Sequence, residues 1–353
     1  MQSGPLAPAR LGAVVRGSGR DAPGTGRRPG LALAVAVAAV ATVAAHWIPI
    51  VGGPVLGIVL GVSLATAHRP SRALEPGIAF AGRSVLQVAV VVLGAQLSLG
   101  EVVSIGLRSL PVLLGTLAVC LLLAAALGRL LRVPSDLRTL IGVGTGICGA
   151  SAIAAVTPVI DAAAIDVAYA ISTIFLFNIA AVILFPILGH ALGLGQQAFG
   201  VFAGTAVNDM SSVVAAATTY GSGAAHTAVV VKLTRTLMII PICVVLAIGE
   251  RRHDRASRAH RFSARSVLKL VPAFLFGFLA LAAANSAGLI PASTHHALTE
   301  VATLLITVAL SAIGLSTDLA GFKRTGARPI LLGAALWVAV SATSLGLQSL
   351  TGL

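Results

Sequence analysis

Charge is scarce in this chain, and negative charge is scarcer. Of 353 residues only 10% are Asp, Glu, Lys or Arg, and 11 are acidic. A soluble domain ordinarily carries about 25% charged residues, so a conventional soluble fold is excluded. Aromatic residues make up 4%, with Trp47 and Trp337 the only tryptophans, so any aromatic belt at a membrane surface is thin. Cys120, Cys148 and Cys243 lie singly inside apolar stretches, which leaves no disulfide framework and no metal-ligand spacing. His295-His296 has no companion ligands, so no metal site is expected there. The glycine-rich run at 142–149 is not followed by Gly-Lys-Ser/Thr, which excludes a phosphate loop. Nothing forms a paired-carboxylate, His–metal or nucleophile–base set. The chain is therefore expected to be neither an enzyme nor a cofactor binder.

What the chain has in excess is apolar sequence, at 57%. A run of roughly 20 such residues spans a bilayer. Eleven candidate spans follow: 31–47, 52–67, 83–98, 110–128, 139–160, 167–189, 198–219, 227–248, 266–288, 297–316 and 329–350. The expected fold is all-α and integral to the membrane. Residues 1–30, rich in Gly, Pro, Ala and Arg, read as a disordered basic tail, and 31–353 as a single transmembrane domain. The first run, with Arg27 and Arg28 before it, also fits a signal peptide. A first transmembrane helix is preferred, because many spans follow.

The net charge of +13 does not point to nucleic acid, because the basic residues sit in short clusters between apolar runs. With the N-terminus inside, the cytoplasmic pieces hold five groups. They are Arg10, Arg16, Arg20, Arg27 and Arg28; Arg69, Arg72 and Arg83; Arg129, Arg132 and Arg138; Arg251, Arg252, Arg255, Arg258, Arg261, Arg265 and Lys269; and Lys323, Arg324 and Arg328. That is 21 of the 24 basic residues; only Arg108 falls outside, and Lys232 and Arg235 fall within a span. Such a bias sets orientation: cytoplasmic N-terminus and external C-terminus. In this arrangement the neutral loop 190–197 is cytoplasmic, and Asp161 and Asp166 flank an external loop.

A shift of 218 residues superposes several landmarks. Pro54 falls on Pro272, Leu97-Ser98 on Leu315-Ser316, Pro111 on Pro329, and Leu113-Leu114-Gly115 on Leu331-Leu332-Gly333. The repeat halves are approximately 48–130 and 266–350, flanking polar core spans at 139–248. An odd number of spans separates the copies, so they are inverted, an architecture of many secondary transporters. Spans five and seven are both interrupted by polar and small residues but match each other poorly, and are not paired.

The polar core holds the candidate site. Four glycines in Gly142-Val-Gly-Thr145-Gly-Ile-Cys148-Gly-Ala-Ser151 imply either a broken helix, which would aim N–H groups at an anion, or close helix packing. Gly204-Thr-Ala-Val-Asn208-Asp209-Met-Ser211-Ser212 places a carboxylate in mid-span, where it costs about 3 kcal/mol and so marks function or a polar helix contact. Lys232 and Arg235, three residues apart, share a helix face. One of them pairing with Asp209 would lower the cost of both and leave one positive charge for an oxyanion or carboxylate; the alternatives are a structural ion network or snorkelling. Asn178, in the middle of span six, is a ligand or a packing contact.

Gly-Ile-Cys-Gly-Ala-Ser-Ala-Ile-Ala-Ala (146–155), Val-Lys-Leu-Thr-Arg-Thr (231–236) with Pro241, and Gly-Leu-Ser-Thr-Asp-Leu (314–319) resemble the YeiH family, of the UPF0324 type. These are bacterial inner-membrane proteins to which sulfate export is ascribed, and the resemblance covers about 30–350. The family is similar to the wider group of cation/proton antiporters and anion transporters that includes bile-acid symporters. That implies an inverted-repeat fold with broken, crossing helices. The family usually has His before the acid where this chain has Asn208-Asp209, and Gln-Val-Val where it has Ser212-Val213-Val214, which puts proton coupling by that His in doubt.

The expected function is secondary transport of a small anion, such as sulfate or another sulfur oxyanion, driven by an ion gradient. Thr145, Cys148, Ser151, Asn178, Asn208, Ser211, Ser212, Lys232 and Arg235 would bind the substrate, and Asp209 the coupling ion. The alternatives are a cation/proton exchanger built on Asp209 and a non-transporting membrane sensor. Expected partners are the anion, the bilayer and, in a homo-oligomer, further copies of the chain; no nucleic acid is expected.

Overall fold

A computed structural model describes residues 27–45, 47, 52–253, 272–317 and 326–353. Residues 1–26 of the expected tail, most of the loop at 250–269, and Asp318, Lys323 and Arg324 lie outside the described residues; Arg27 to Gly30, expected in the tail, instead begin the first helix. Every regular element among those described is helical. Seven helices are long and apolar enough to cross a membrane: α1 (Arg27–Ala45), α3 (Glu75–Gly94), α4 (Leu99–Leu130), α7 (Ala164–Ala191), α10 with the start of α11 (Ser222–Leu246), α13 (His295–Leu315) and α14 (Ala327–Thr351). Two apolar helices are shorter, α2 (Gly53–Ala67) and α12 (Ala273–Ser286). Large apolar side chains such as Leu122, Val43 and Ile187 are more than 60% exposed, as a lipid-facing surface requires. The chain is an all-α, multi-pass membrane protein.

Local chemistry sets several boundaries. Ser98 starts α4 through a capping box, its hydroxyl accepting from the Glu101 backbone N–H while the Glu101 carboxylate accepts from the Ser98 N–H at 2.7 Å; this satisfies two N–H groups the helix start leaves open. A π-helical turn at Ala81–Val85 lies within α3.

Packing forms two bodies. In the first, α2 lies on α13 and α1 and α12 lie on α3. The backbones approach so closely that a Cβ on Gly61 would lie 2.5 Å from the Ser311 carbonyl, and one on Gly94 2.5 Å from that of Phe278. Small residues at the seam permit this approach. The second body gathers α4, α7, α10 and α14 around the interrupted segments.

Those segments correct the expected topology. Span seven consists of α8 (Gln196–Ala206) and α9 (Met210–Tyr220). Laid end to end they would reach about 37 Å at 1.5 Å per residue, yet their ends touch. The Tyr220 hydroxyl donates to the Leu194 carbonyl, the Phe199 and Tyr220 rings stack at 3.8 Å, and the Gly223 N–H donates to Gln196 Oε1 at 2.8 Å. Helix α10 (Ser222–Leu237) then runs parallel to α8: Gly200 lies against Ala224 and Thr227, and Gly204 against Ala228 and Val231. Span seven is a re-entrant hairpin.

Span five behaves alike. Helix α5 (Ser135–Gly146) is followed by the short α6 (Ala150–Val156). Gly144 touches Ile153, which has folded back, and Ile174 on α7. Asp136 and Asp166, at the starts of α5 and α7, are electrostatic neighbours, so those helices run parallel. The α5–α6 hairpin opens on the face where α4 ends, and the α8–α9 hairpin on the face where α7 ends. Neither crosses. Asp161 and Asp166 therefore lie on the face of the Arg129–Arg138 cluster, and 190–197 on the opposite face, both contrary to expectation. The loops that change sides carry no Lys or Arg, so the charge asymmetry is untouched.

With the fold in view, spans five and seven do match. At an offset of 60 residues, Gly144-Thr145 falls on Gly204-Thr205, Ser151 on Ser211, and both breaks coincide. Under the offset of 218, α2, α3 and α4 fall on α12, α13 and α14. The α2–α13 and α12–α3 contacts then exchange, while α4–α14 maps on itself.

Candidate functional site

The hairpin tips meet inside the second body. A Cβ on Gly149, which has φ +68°, would lie 3.1 Å from Cβ of Asp209. Glycine suits that backbone angle, which other L-residues rarely adopt. Gly149 starts α6 with no side-chain cap. Asp209 starts α9 and caps it, Oδ1 accepting from the Ser212 N–H at 2.7 Å.

Asp209 anchors one network. Its carboxylate also accepts from the Ser211 hydroxyl at 2.6 Å, the Ser212 hydroxyl at 3.2 Å and the Asn178 side-chain amide. Asn178 Oδ1 in turn accepts from the Asn208 N–H at 3.2 Å. Asn178 on α7 is thus a strut holding the second tip.

Lys232 and Arg235 form the other. Both are fully buried, so snorkelling is excluded, and among the described residues neither is ion-paired with Asp209 within 4.0 Å. They cap carbonyls instead. Arg235 donates through Nε to Gly146 O at 2.6 Å, through Nη2 to Thr145 O at 3.1 Å and through Nη1 to Thr205 O. Thr145 and Thr205 are equivalent positions of the two hairpins, so one guanidinium ties both. Lys232 Nζ donates to Val207 O at 2.7 Å. These carbonyls end α5 and α8, where the helix dipole is negative, roughly −0.5 charge each. The expected Asp209 pairing fails because the carboxylate is satisfied at a helix start and the cations at helix ends.

Of the predicted residues, Asn178, Asn208, Asp209, Ser211 and Ser212 form one hydrogen-bonded group. Thr145 contributes its carbonyl to the Arg235 clamp. Cys148 is buried at the first tip beside both cations. Ser151 is exposed on α6 and its hydroxyl has no hydrogen-bond partner among the described residues. Asn208 is 1% exposed, with Oδ1 unpartnered. Thr205, whose hydroxyl meets that of Ser344 at 2.7 Å, was missed; its signal was the Gly-Thr pair 60 residues after Gly144-Thr145. Glu300 is 70% exposed beside His296 and belongs to no site. No group of three metal-ligating side chains occurs among the described residues.

The chain matches the family described as Conserved hypothetical protein 698 over residues 29–333. A UPF0324 membrane protein of Streptococcus pyogenes serotype M18 is 42% identical over 331 residues, 92% of this chain and 97% of the relative. One from Streptococcus agalactiae serotype V is 39% identical over 334 residues, with the same coverage of each. One from Fusobacterium nucleatum is 38% identical over 327 residues, 87% of this chain and 93% of the relative.

Proposed function

The chain belongs to the UPF0324 family of membrane proteins, and from that premise we propose that it is a secondary transporter of a small anion. One observation carries the reading: two re-entrant hairpins enter from opposite faces, and their tips meet over two buried cations and one carboxylate. Lys232 and Arg235 contribute two positive charges; Asp209 and the carbonyl ends of α5 and α8 offset roughly two, and the start of α9 returns about half of one. The residual field is positive and favours an anion. Arg235 spends its fork on the tips and acts as their clamp. Lys232 retains two N–H groups beyond its bond to Val207 O. These, with the Asn208 side-chain amide and the Ser151 hydroxyl, supply the donors that an oxyanion needs, sulfate or another sulfur oxyanion being the expected class; the Ser211 hydroxyl is spent on Asp209. Asp209 carries the coupling ion. Each hairpin gives the site one route to one face, as alternating access requires.

In this reading the molecule sits in the bacterial inner membrane with the basic loops cytoplasmic, nine crossings and a C-terminus outside. It comprises two inverted five-element repeats whose second copy is circularly permuted: α12 to α14 follow α8 to α11 instead of preceding them. The sidedness is checked by thiol labelling of intact cells, since the native cysteines are buried. A cysteine at Leu192 is expected to react with an impermeant reagent and one at Ala162 not to; the reverse pattern overturns the orientation.

The function is tested with purified protein in liposomes. Saturable uptake of labelled sulfate or sulfite, stimulated by an imposed pH or sodium gradient, is expected. Gradient-driven cation exchange with no anion flux would sink the anion reading and favour an exchanger built on Asp209.

A further inference from the structure

A cavity of about 390 Å³ lies away from the hairpin tips, between α4, α5 and α11 (Ile239–His253). That volume is within the range of small-ligand pockets. Its walls are apolar, formed by residues such as Ala125, Val143, Ile242 and Val245. The polar chemistry is gathered at one end, where Arg138 and Thr139 join the lining.

Two features say what fills it. Val245 is 67% exposed and Pro241 is exposed, so the α11 side of the cavity opens to the surrounding hydrocarbon. Arg138, half-buried at the polar end, makes a 3.3 Å hydrogen bond to the Ser135 hydroxyl and, among the described residues, no ion pair. It stands with Arg129 and Arg132 around the α4–α5 connection, at the membrane surface. A small inorganic anion would meet too little polar wall, and a neutral tail would leave the guanidinium unanswered. We propose that the cavity is a binding site for a phospholipid with a net negative headgroup, one acyl chain lying between the first hairpin and α11 and the phosphate meeting Arg138. Basic pockets between transmembrane helices take anionic lipids in this way.

The position gives the lipid leverage. On one side it touches α5, the entering arm of the first hairpin; on the other it touches α11, which continues from the helix bearing Lys232 and Arg235. The bound chain fills the gap between the arm and the helix that clamps its tip.

The test is native mass spectrometry of the full chain, purified in detergent and exchanged with phosphatidylglycerol or phosphatidylcholine. The expected result is one retained phosphatidylglycerol, preferred at least fivefold over phosphatidylcholine. Arg138→Gln is expected to abolish the preference, and Ala125→Trp, which fills the apolar end, to abolish retention of both lipids; the monodisperse size-exclusion profile is checked for each. Arg129→Gln, outside the lining, is expected to keep the preference. Equal retention of the two lipids by the unmodified protein overturns the site. So does a preference that survives both Arg138→Gln and Ala125→Trp, or one that falls equally in Arg129→Gln, which would reduce it to diffuse loop charge.

Discussion

The two hairpins share a break position and a Gly-Thr pair, yet their tips are built from opposite materials. The first turns through Ile147-Cys148-Gly149, with a left-handed glycine and no side-chain cap. The second turns through Val207-Asn208-Asp209, and its aspartate caps the returning helix. The first tip leaves its returning helix without a side-chain cap, while the second caps its own through Asp209 and is braced from α7 by Asn178. Arg235, a donor only, gives α6 no cap; from α10 it holds instead the carbonyls that end α5 and α8, one guanidinium serving both hairpins. The carboxylate chemistry is concentrated on the second hairpin, at Asp209.

Removing that chemistry is the strongest way to break the contrast. Asp209→Asn keeps a side chain able to cap α9, and is expected to reduce liposome uptake to background while the size-exclusion profile is unchanged. Undiminished uptake would take Asp209 out of the mechanism. Arg235→Ala attacks what the tips share. It leaves three buried carbonyls without their donor, at about 1–3 kcal/mol each, so the thermal midpoint in detergent should fall further than for any other single change here. An unaltered midpoint would refute the clamp. Gly149→Ala loads the bare tip alone: with φ +68° and Asp209 Cβ 3.1 Å from the new methyl, a loss of at least about 1–2 kcal/mol is expected from the backbone angle. Hydroxyl deletions sharpen the asymmetry last. Ser212→Ala should cost about 1 kcal/mol in the same assay, whereas exposed Ser151→Ala should stay within about 0.5 kcal/mol. Equal effects would mean that the tips are alike in support.

Much of this was legible beforehand. Apolar runs and basic loops located every helical unit, because span length and charge placement follow from bilayer thickness and surface potential. The candidate residues clustered where polar groups interrupt apolar sequence, since only a buried function or a buried partner justifies their cost. Two readings failed for one reason: a run of 22 small and apolar residues is as long as a crossing helix whether it crosses or turns back. The neutral loop 190–197 was the clue, an apparent exception to a face of basic loops that disappears once the loop changes sides. The Asp209 pairing with Lys232 or Arg235 failed because charge counting ignores backbone dipoles. At helix ends, backbone carbonyls take the place of a carboxylate as a cation's partner.

The sequence by itself determined that this is a helical membrane protein, where its apolar segments lie, and which few polar residues are immersed. Those properties depend on transfer free energies and on charge, which are local and additive along the chain. Only the tertiary structure decided that two of the apolar runs are hairpins, that their tips meet, and that Arg235 binds the carbonyls of Thr145 and Thr205 together. Those facts depend on where the helix ends point in space, and partners some 30 to 90 residues apart leave no signal in any local window.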